Sequence, residues 1–146
     1  MKNLKLAALV IIGTASVSAQ DLKMEQVPVN LKSDFHKSYN NATNVEWELD
    51  GNEYNVEFDI SKMEHEIWYN KDGKIVKMEK EIAESELPKE IVSTLKNNYD
   101  GYDVNSVELK EQNNIKIYEI ELKKGWFKER DVFFDVNGKV LSDIED

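Results

Sequence analysis

The chain has no cysteine, only two prolines, six glycines and two histidines among its 146 residues. Without cysteine there is no disulfide framework, no thiol nucleophile and no cysteine for a lipid anchor. The two histidines, His36 and His65, stand too far apart for the paired-histidine helix of a zinc protease. His65 and its neighbour Glu66 also lie in a segment that alternates like a strand, where neighbours point to opposite faces. No glycine-rich loop is present to cradle a phosphate. Ser61, Ser85 and Ser93 have neither a glycine-flanked turn nor a base nearby. Acidic pairs such as Glu64/Glu66 and Glu79/Glu81 read as a solvated face. These absences weigh against an enzyme, and no catalytic residue, metal site or cofactor is expected.

Long apolar runs and positive charge are also scarce. The one extended run, Leu6 to Ile12, is far shorter than the roughly 20 residues that cross a bilayer. It follows Lys2 and Lys5 and leads to Val17 and Ala19, three and one residues before Gln20. That pattern predicts a signal peptide over residues 1–19 and a periplasmic or secreted protein with no membrane anchor after cleavage. The 19 basic residues less Lys2 and Lys5 leave 17 against 29 acidic ones, a balance of −12 for the exported chain. Such a surface repels phosphate backbones, so nucleic acid is not an expected partner.

What the chain does have is an internal likeness, at an offset of 60 residues growing to 65. "VPVNLKSDFHKSYNNATNVEW" faces "LPKEIVSTLKNNYDGYDVNSVEL", "EYNVEF" faces "IYEIEL", and "IWYNKDGKIV" faces "VFFDVNGKVL". Each half opens with a proline suited to a helix start, Pro28 or Pro88. Apolar residues then recur every four positions, Leu31, Phe35 and Tyr39 or Ile91, Leu95 and Tyr99. Alternating strands follow, such as Tyr54, Val56, Phe58 and Ile60. The expected fold is α+β: two tandem repeats, 20–82 and 83–146, each a helix followed by a three- to four-stranded antiparallel sheet.

The segment "WYNKDGKIVKME" places Asn70, Asp72, Gly73 and Glu79 at calcium-loop spacings, but Trp68 occupies the first position, where an oxygen is required. Its counterpart keeps only the turn, with Asn137-Gly138 for Asp72-Gly73, and has Ile144 at the last position. Asp-Gly and Asn-Gly between alternating apolar residues predict two-residue hairpins, with positive φ at both central residues. In that register Tyr69 pairs with Val76 and Ile67 with Met78 on the face under the helix. Trp68 and Ile75 then point to the opposite face, as do Phe133 and Val140, while Phe134 and Leu141 point to the core. Trp126 and Phe127 add an aromatic pair inside the charged connection "KKGWFKER". These six, Trp68, Ile75, Trp126, Phe127, Phe133 and Val140, are the candidate partner-binding residues.

The order Pro28, Tyr39, Ala42, Val45, Trp47, Tyr54, Val56, Phe58 and the turn Asp72-Gly73-Lys74 resembles the PepSY-like family of exported bacterial proteins. That family is named for its likeness to β-lactamase inhibitory proteins. The resemblance covers both halves and is stronger in the first. Asn40 stands where the family has a proline after the tyrosine, and Leu109 faces Trp47 in the second half. The resemblance implies tandem helix-plus-sheet units and no catalytic residues, and it leaves open whether the strands of the two units continue into one long curved sheet. The expected function is that of an exported, non-catalytic binding protein that recognises a protein partner, inhibitor-like, through the open sheet face. The alternative is a small-ligand or cation-binding module of the cell envelope, using an acidic groove between the repeats.

Overall fold

The computed structural model describes residues 20–145, so the signal peptide expected over residues 1–19 lies outside the described residues. A two-residue strand β1 (Gln20–Asp21) precedes a 3₁₀ turn and helix α1 (Val29–Ser38). Strands β2 (Thr43–Asp50), β3 (Glu53–Ile60), β4 (Met63–Tyr69) and β5 (Ile75–Glu81) follow. A second 3₁₀ turn leads to α2 (Lys89–Asn98), then to β6 (Asp103–Gln112), β7 (Ile115–Lys124), β8 (Lys128–Asp135) and β9 (Val140–Glu145).

The expectation of two tandem helix-plus-sheet repeats is overturned. All nine strands form one antiparallel sheet in strict chain order, and the helices are only ten residues each. The molecule is mostly antiparallel sheet. The joint is the β5–β6 ladder, which runs from Lys77↔Gln112 to Glu81↔Glu108. Alternation in a sequence reveals a strand and its faces, but an edge strand and an interior strand alternate alike. Nothing in the apolar pattern could show that β5 has a neighbour on both sides.

Both helices lie on one face. Each begins directly after its proline, and each ends where the tyrosine N–H donates to the carbonyl four residues back, Tyr39 to Phe35 and Tyr99 to Leu95. Under α1 the core holds Leu31, Phe35, Trp47, Val56, Phe58, Ile67 and Tyr69. Under α2 it holds Ile91, Val107, Leu109, Tyr118, Ile120, Leu122, Val132 and Phe134. Strand pairing corrects one alignment drawn from the sequence. Trp47 pairs with Val56, while Val107, not Leu109, pairs with Ile120. Leu22 N–H donates to the Trp47 carbonyl as Ile82 N–H donates to that of Val107. The extra residues of the second half lie at the β6–β7 tip, where both strands are ten residues long against eight in β2 and β3.

The hairpin turns also differ from expectation. Gly73 N–H donates to Asn70 O (2.9 Å) and Asn70 N–H to Lys74 O (2.9 Å), which makes a three-residue loop with a bulge. Only Gly73 has positive φ (76°), and Asp72 does not. The Asn70 side chain is responsible: its Oδ1 accepts the N–H groups of both Asp72 and Lys74 at 3.0 Å. Asp135 does the same for Asn137 (2.8 Å) and Lys139 (3.0 Å). Each bulge shifts the register by one residue. Ile67 still faces Met78 and Trp68 faces Lys77, but Tyr69 meets Ile75 and Phe134 meets Val140.

The two turns serve different ends. A Cβ on Gly73 would meet nothing within 4 Å, whereas one on Gly138 would lie 2.5 Å from the Glu90 carbonyl oxygen of α2. Thr94 Oγ1 donates to the Gly138 carbonyl at 2.8 Å, so α2 is seated on this turn. Both glycines have φ +76°, so alanine at either is strained. We expect Gly73→Ala to cost about 1–2 kcal/mol from backbone strain alone. Gly138→Ala adds a backbone collision and should cost about 3 kcal/mol or more. Urea unfolding of the two variants checks this, and equal losses would show that α2 is not seated on the turn.

Candidate functional site

The face that neither helix covers is built from the alternate residues of every strand. Its rows can be read across the sheet. One runs Glu46–Glu57–Glu66–Glu79–Lys110–Ile117, and the next includes Glu81–Glu108–Glu119–Phe133–Ser142. A third runs Glu48–Asn55–Trp68–Lys77–Gln112. The outward half of the strand alternation is therefore dominated by carboxylates, with Trp68, Ile115, Ile117, Phe133 and Ile144 among them.

At its centre, where β5 joins β6, the charges are paired. Glu79 is buried and lies 2.6 Å from Lys77 Nζ and 3.5 Å from Lys110 Nζ. Lys110 also reaches Glu108 at 3.0 Å and Glu119 at 2.8 Å. These partners raise the Lys110 pKa above its ordinary value despite burial, which acts against it. Glu66 stands directly across from Glu79 and accepts a hydrogen bond from Asn55 Nδ2 at 2.7 Å. Burial pushes the Glu66 carboxyl up to about 7, the facing Glu79 adds to the rise, and the Asn55 amide opposes it. Glu57, the partner of Glu66 on β3, is raised as well, first by desolvation and then by four surrounding carboxylates.

Beside this cluster, Glu64, Glu66, Glu79, Glu81, Glu108 and Ser106 line a depression of about 310 Å³. It corresponds in place to the acidic groove expected between the halves. Lysines already neutralise two of its carboxylates. Among the described residues no three His, Asp or Glu side chains are positioned to hold a metal ion.

The six sequence-predicted residues are not brought together. Trp68 is on the open face as its register required, but Lys77 Nζ sits 3.7 Å from its ring centroid and leaves it only 8 % exposed. A cation–π contact thus covers the ring on the open face. Phe133 is on the same face, half-buried beside Glu119. Ile75, expected on the open face, is instead brought by the bulge opposite Tyr69, a residue of the helix-side core, and is exposed there. Val140, expected to point away from the core, packs against it, because the bulge at Leu141 brings Val140 opposite Phe134. Trp126 and Phe127 are the tip of the β7–β8 hairpin, 93 % and 92 % exposed, at the end of the sheet rather than on its face.

Of the histidines, His36 is exposed and edge-on to Phe35, and His65 stacks on Phe58 with Nδ1 2.9 Å from the Met63 carbonyl. Sequence reasoning missed the Glu66–Glu79–Lys110 cluster. Its signal was present, since glutamate recurs at alternate positions in β2, β4, β5 and β7, but pairing across strands was needed to gather it.

The family model described as "Putative beta-lactamase-inhibitor-like, PepSY-like" matches residues 15–77 and, again, residues 59–142. Among solved structures, a DUF2874 family protein from Bacteroides uniformis aligns with TM-score 0.65 and 17% identity, over 82% of this chain and 89% of that one. A structure from Bacteroides eggerthii described as "putative periplasmic proteins" aligns with TM-score 0.65 and 18% identity, over 82% and 88%. A BLIP-like protein from Bacteroides fragilis aligns with TM-score 0.60 and 23% identity, over 79% and 83%. At these identities the likeness is one of fold. No curated protein matches the chain.

The Glu66 carboxyl sets a pH dependence. A group whose folded pKa lies above its unfolded value of 4.5 contributes stability at low pH that is lost as pH rises through the folded value. Glu57 and Glu108, also raised, act with the same sign. Thermal unfolding should therefore show a Tm that falls between pH 4.5 and 7. Glu66→Gln, which keeps the acceptor for Asn55, should flatten that fall and raise Tm at pH 8 by roughly 3 °C. An unchanged slope in the variant would remove Glu66 as the cause.

Proposed function

The chain belongs to the PepSY-like, beta-lactamase-inhibitor-like family, and from that premise we propose that it is an exported, non-catalytic binding protein that recognises a partner protein through its open sheet face. The observation that carries this reading is the face itself. It spans strands from both halves of the chain, carries no helix, and presents rows of carboxylates around Trp68, Ile117 and Phe133. A surface of this kind fits a partner whose own patch is basic, because complementary charge speeds encounter and penalises wrong partners. The Bacteroides eggerthii relative, described as periplasmic, and the lysine-led apolar start of the chain support a periplasmic or secreted location. No helix among the described residues is long and apolar enough to cross a membrane. The BLIP-like description of the Bacteroides fragilis relative supports an inhibitor-like mode of action and leaves the target open.

Charge reversal tests the reading. Glu46, Glu57 and Glu64 are exposed on this face, and Glu57 is surrounded by other carboxylates. Lysine at all three should leave the fold intact, with an unchanged or higher Tm, since repulsion is relieved. Capture of the partner from an envelope extract, quantified against the unaltered chain, should drop at least about tenfold. Capture by the unaltered chain should also weaken with added salt, as screening shortens the reach of surface charge. Capture that survives the triple reversal would place recognition elsewhere on the molecule.

A further inference from the structure

The second half of the sheet is less completely filled than the first. Phe35, Trp47 and Phe58 are all buried under α1, with the Phe35 ring edge-on to Trp47 and to Phe58 at 5.4 and 4.9 Å. The corresponding places under α2 hold Leu95, Val107 and Leu122. Backbone bonding sets two of these equivalences: Phe35 and Leu95 each accept from the helix-ending tyrosine, and Trp47 and Val107 from Leu22 and Ile82. Strand pairing sets the third. Phe58 and Leu122 each lie two residues beyond the Val56↔Ile67 and Ile120↔Val132 pairs. Three rings are thus replaced by three aliphatic chains, and one is gained, since Tyr102 stands where the first half has Ala42, each donating to the carbonyl of the helix-ending tyrosine.

Helix α2 does not move in to close the difference, because its Glu90 and Thr94 flank is held against the turn at Gly138. Its other flank leaves a groove of about 420 Å³, walled by Val92, Leu95, Tyr99, Tyr102, Val104 and Leu122. Glu84, Asp100 and Asp103 lie on its rim together with one basic residue, Lys96. Directly beside it stands the Trp126–Phe127 tip. Lys124, at the base of that tip, donates to the Asp100 carbonyl at 3.0 Å and lies 5.3 Å over the Tyr102 ring. On the tip's other side is the exposed Lys128. One molecule therefore carries, next to each other, a groove of mixed apolar and polar lining whose rim is acidic on balance, and an uncovered aromatic pair flanked by lysine.

We propose that the chain forms a two-fold symmetric dimer in which the Trp126–Phe127 tip of each copy enters the α2 groove of the other. A tip and a groove side by side form a self-complementary patch, and an isologous interface uses such a patch twice and closes. The areas agree with this. An aromatic side chain buries roughly 150–250 Å², so the four rings of two tips remove about 600–1,000 Å². The small exposed wall of each groove adds little to this, so the total stays near or below about 1,200 Å², the size of a weak, concentration-dependent interface. The dimer leaves the open sheet face free, so it does not rest on the recognition proposed above, and either can fail without the other.

Sedimentation velocity on the exported chain, from about 1 µM to about 1 mM, should show a shift from one chain mass to two. Trp47 and Trp68 are buried, so acrylamide quenching of tryptophan reports on Trp126 and should fall as the dimer forms. The double variant Trp126→Ala/Phe127→Ala should weaken dimerisation at least tenfold. Leu95→Phe, which restores the ring present at Phe35, should do the same by filling the groove. Val92→Lys, at an exposed groove residue, provides a groove change that adds nothing to the core. A chain that stays monomeric at 1 mM overturns the proposal, and so does a dimer indifferent to either the tip or the groove variants. Protection of Trp126 in a monomer, whether by its own groove or by a foreign protein, overturns it as well.

Discussion

The five backbone pairings between β5 and β6 are the constraint on which the rest of the structure depends. They turn what would be two small sheets, each with a bare edge, into one. An unpaired edge exposes a row of donors and acceptors to any other strand, and the junction removes two such edges at once. It also gathers charge. Glu79 on β5 and Lys110 on β6 face each other across the ladder, and Lys77, Glu108 and Glu119 complete the group around them. A buried ion network of this kind contributes little net stability, but removing one member leaves its partner uncompensated. The elevated Glu66 carboxyl is a neighbour of this network and has its origin in the same junction.

The helices cover the other face by two different means. Helix α1 is held by rings: Phe35 touches Trp47, Phe58, Tyr39 and His36. Helix α2 is held by a turn, with Gly138 admitting the Glu90 carbonyl so closely that no side chain could stand between them. The two devices give unequal results. The aromatic filling packs Phe35 on rings from both sides of it, while the anchor at one flank of α2 leaves a groove at the opposite flank. The groove beside Tyr102 follows from that inequality.

Much of the local structure was legible in the sequence. The helix starts at Pro28 and Pro88, the buried stripe Leu31–Phe35, and the inward faces of β3 and β7 follow from spacing alone. The turns were placed correctly and their type misread, because the dipeptides Asp72-Gly73 and Asn137-Gly138 suggested a two-residue loop. The side chains of Asn70 and Asp135, one position before the loops, decided otherwise. A single bulge then moved Val140 to the core. The register puts Trp68 on the open face and says nothing of its exposure, and a cross-strand lysine that lies nine residues on in the chain covers it. What the sequence could not disclose was the fusion of the sheet, which depends on which strand edges meet and not on which side chains point inward.

The order of strands in the sheet is also their order in the chain, and this governs how the chain can fold. Six of the eight strand pairs join neighbours through short connections, while β1–β2 and β5–β6 each enclose a helix. Loop-closure entropy is therefore small at nearly every step, and topologies of this kind reach the native state faster than those whose strands cross over. Hairpins can form from either half and wait for one another. Here the slowest docking events are confined to the two pairings that span a helix, and the later of them along the chain is the one that makes the sheet whole.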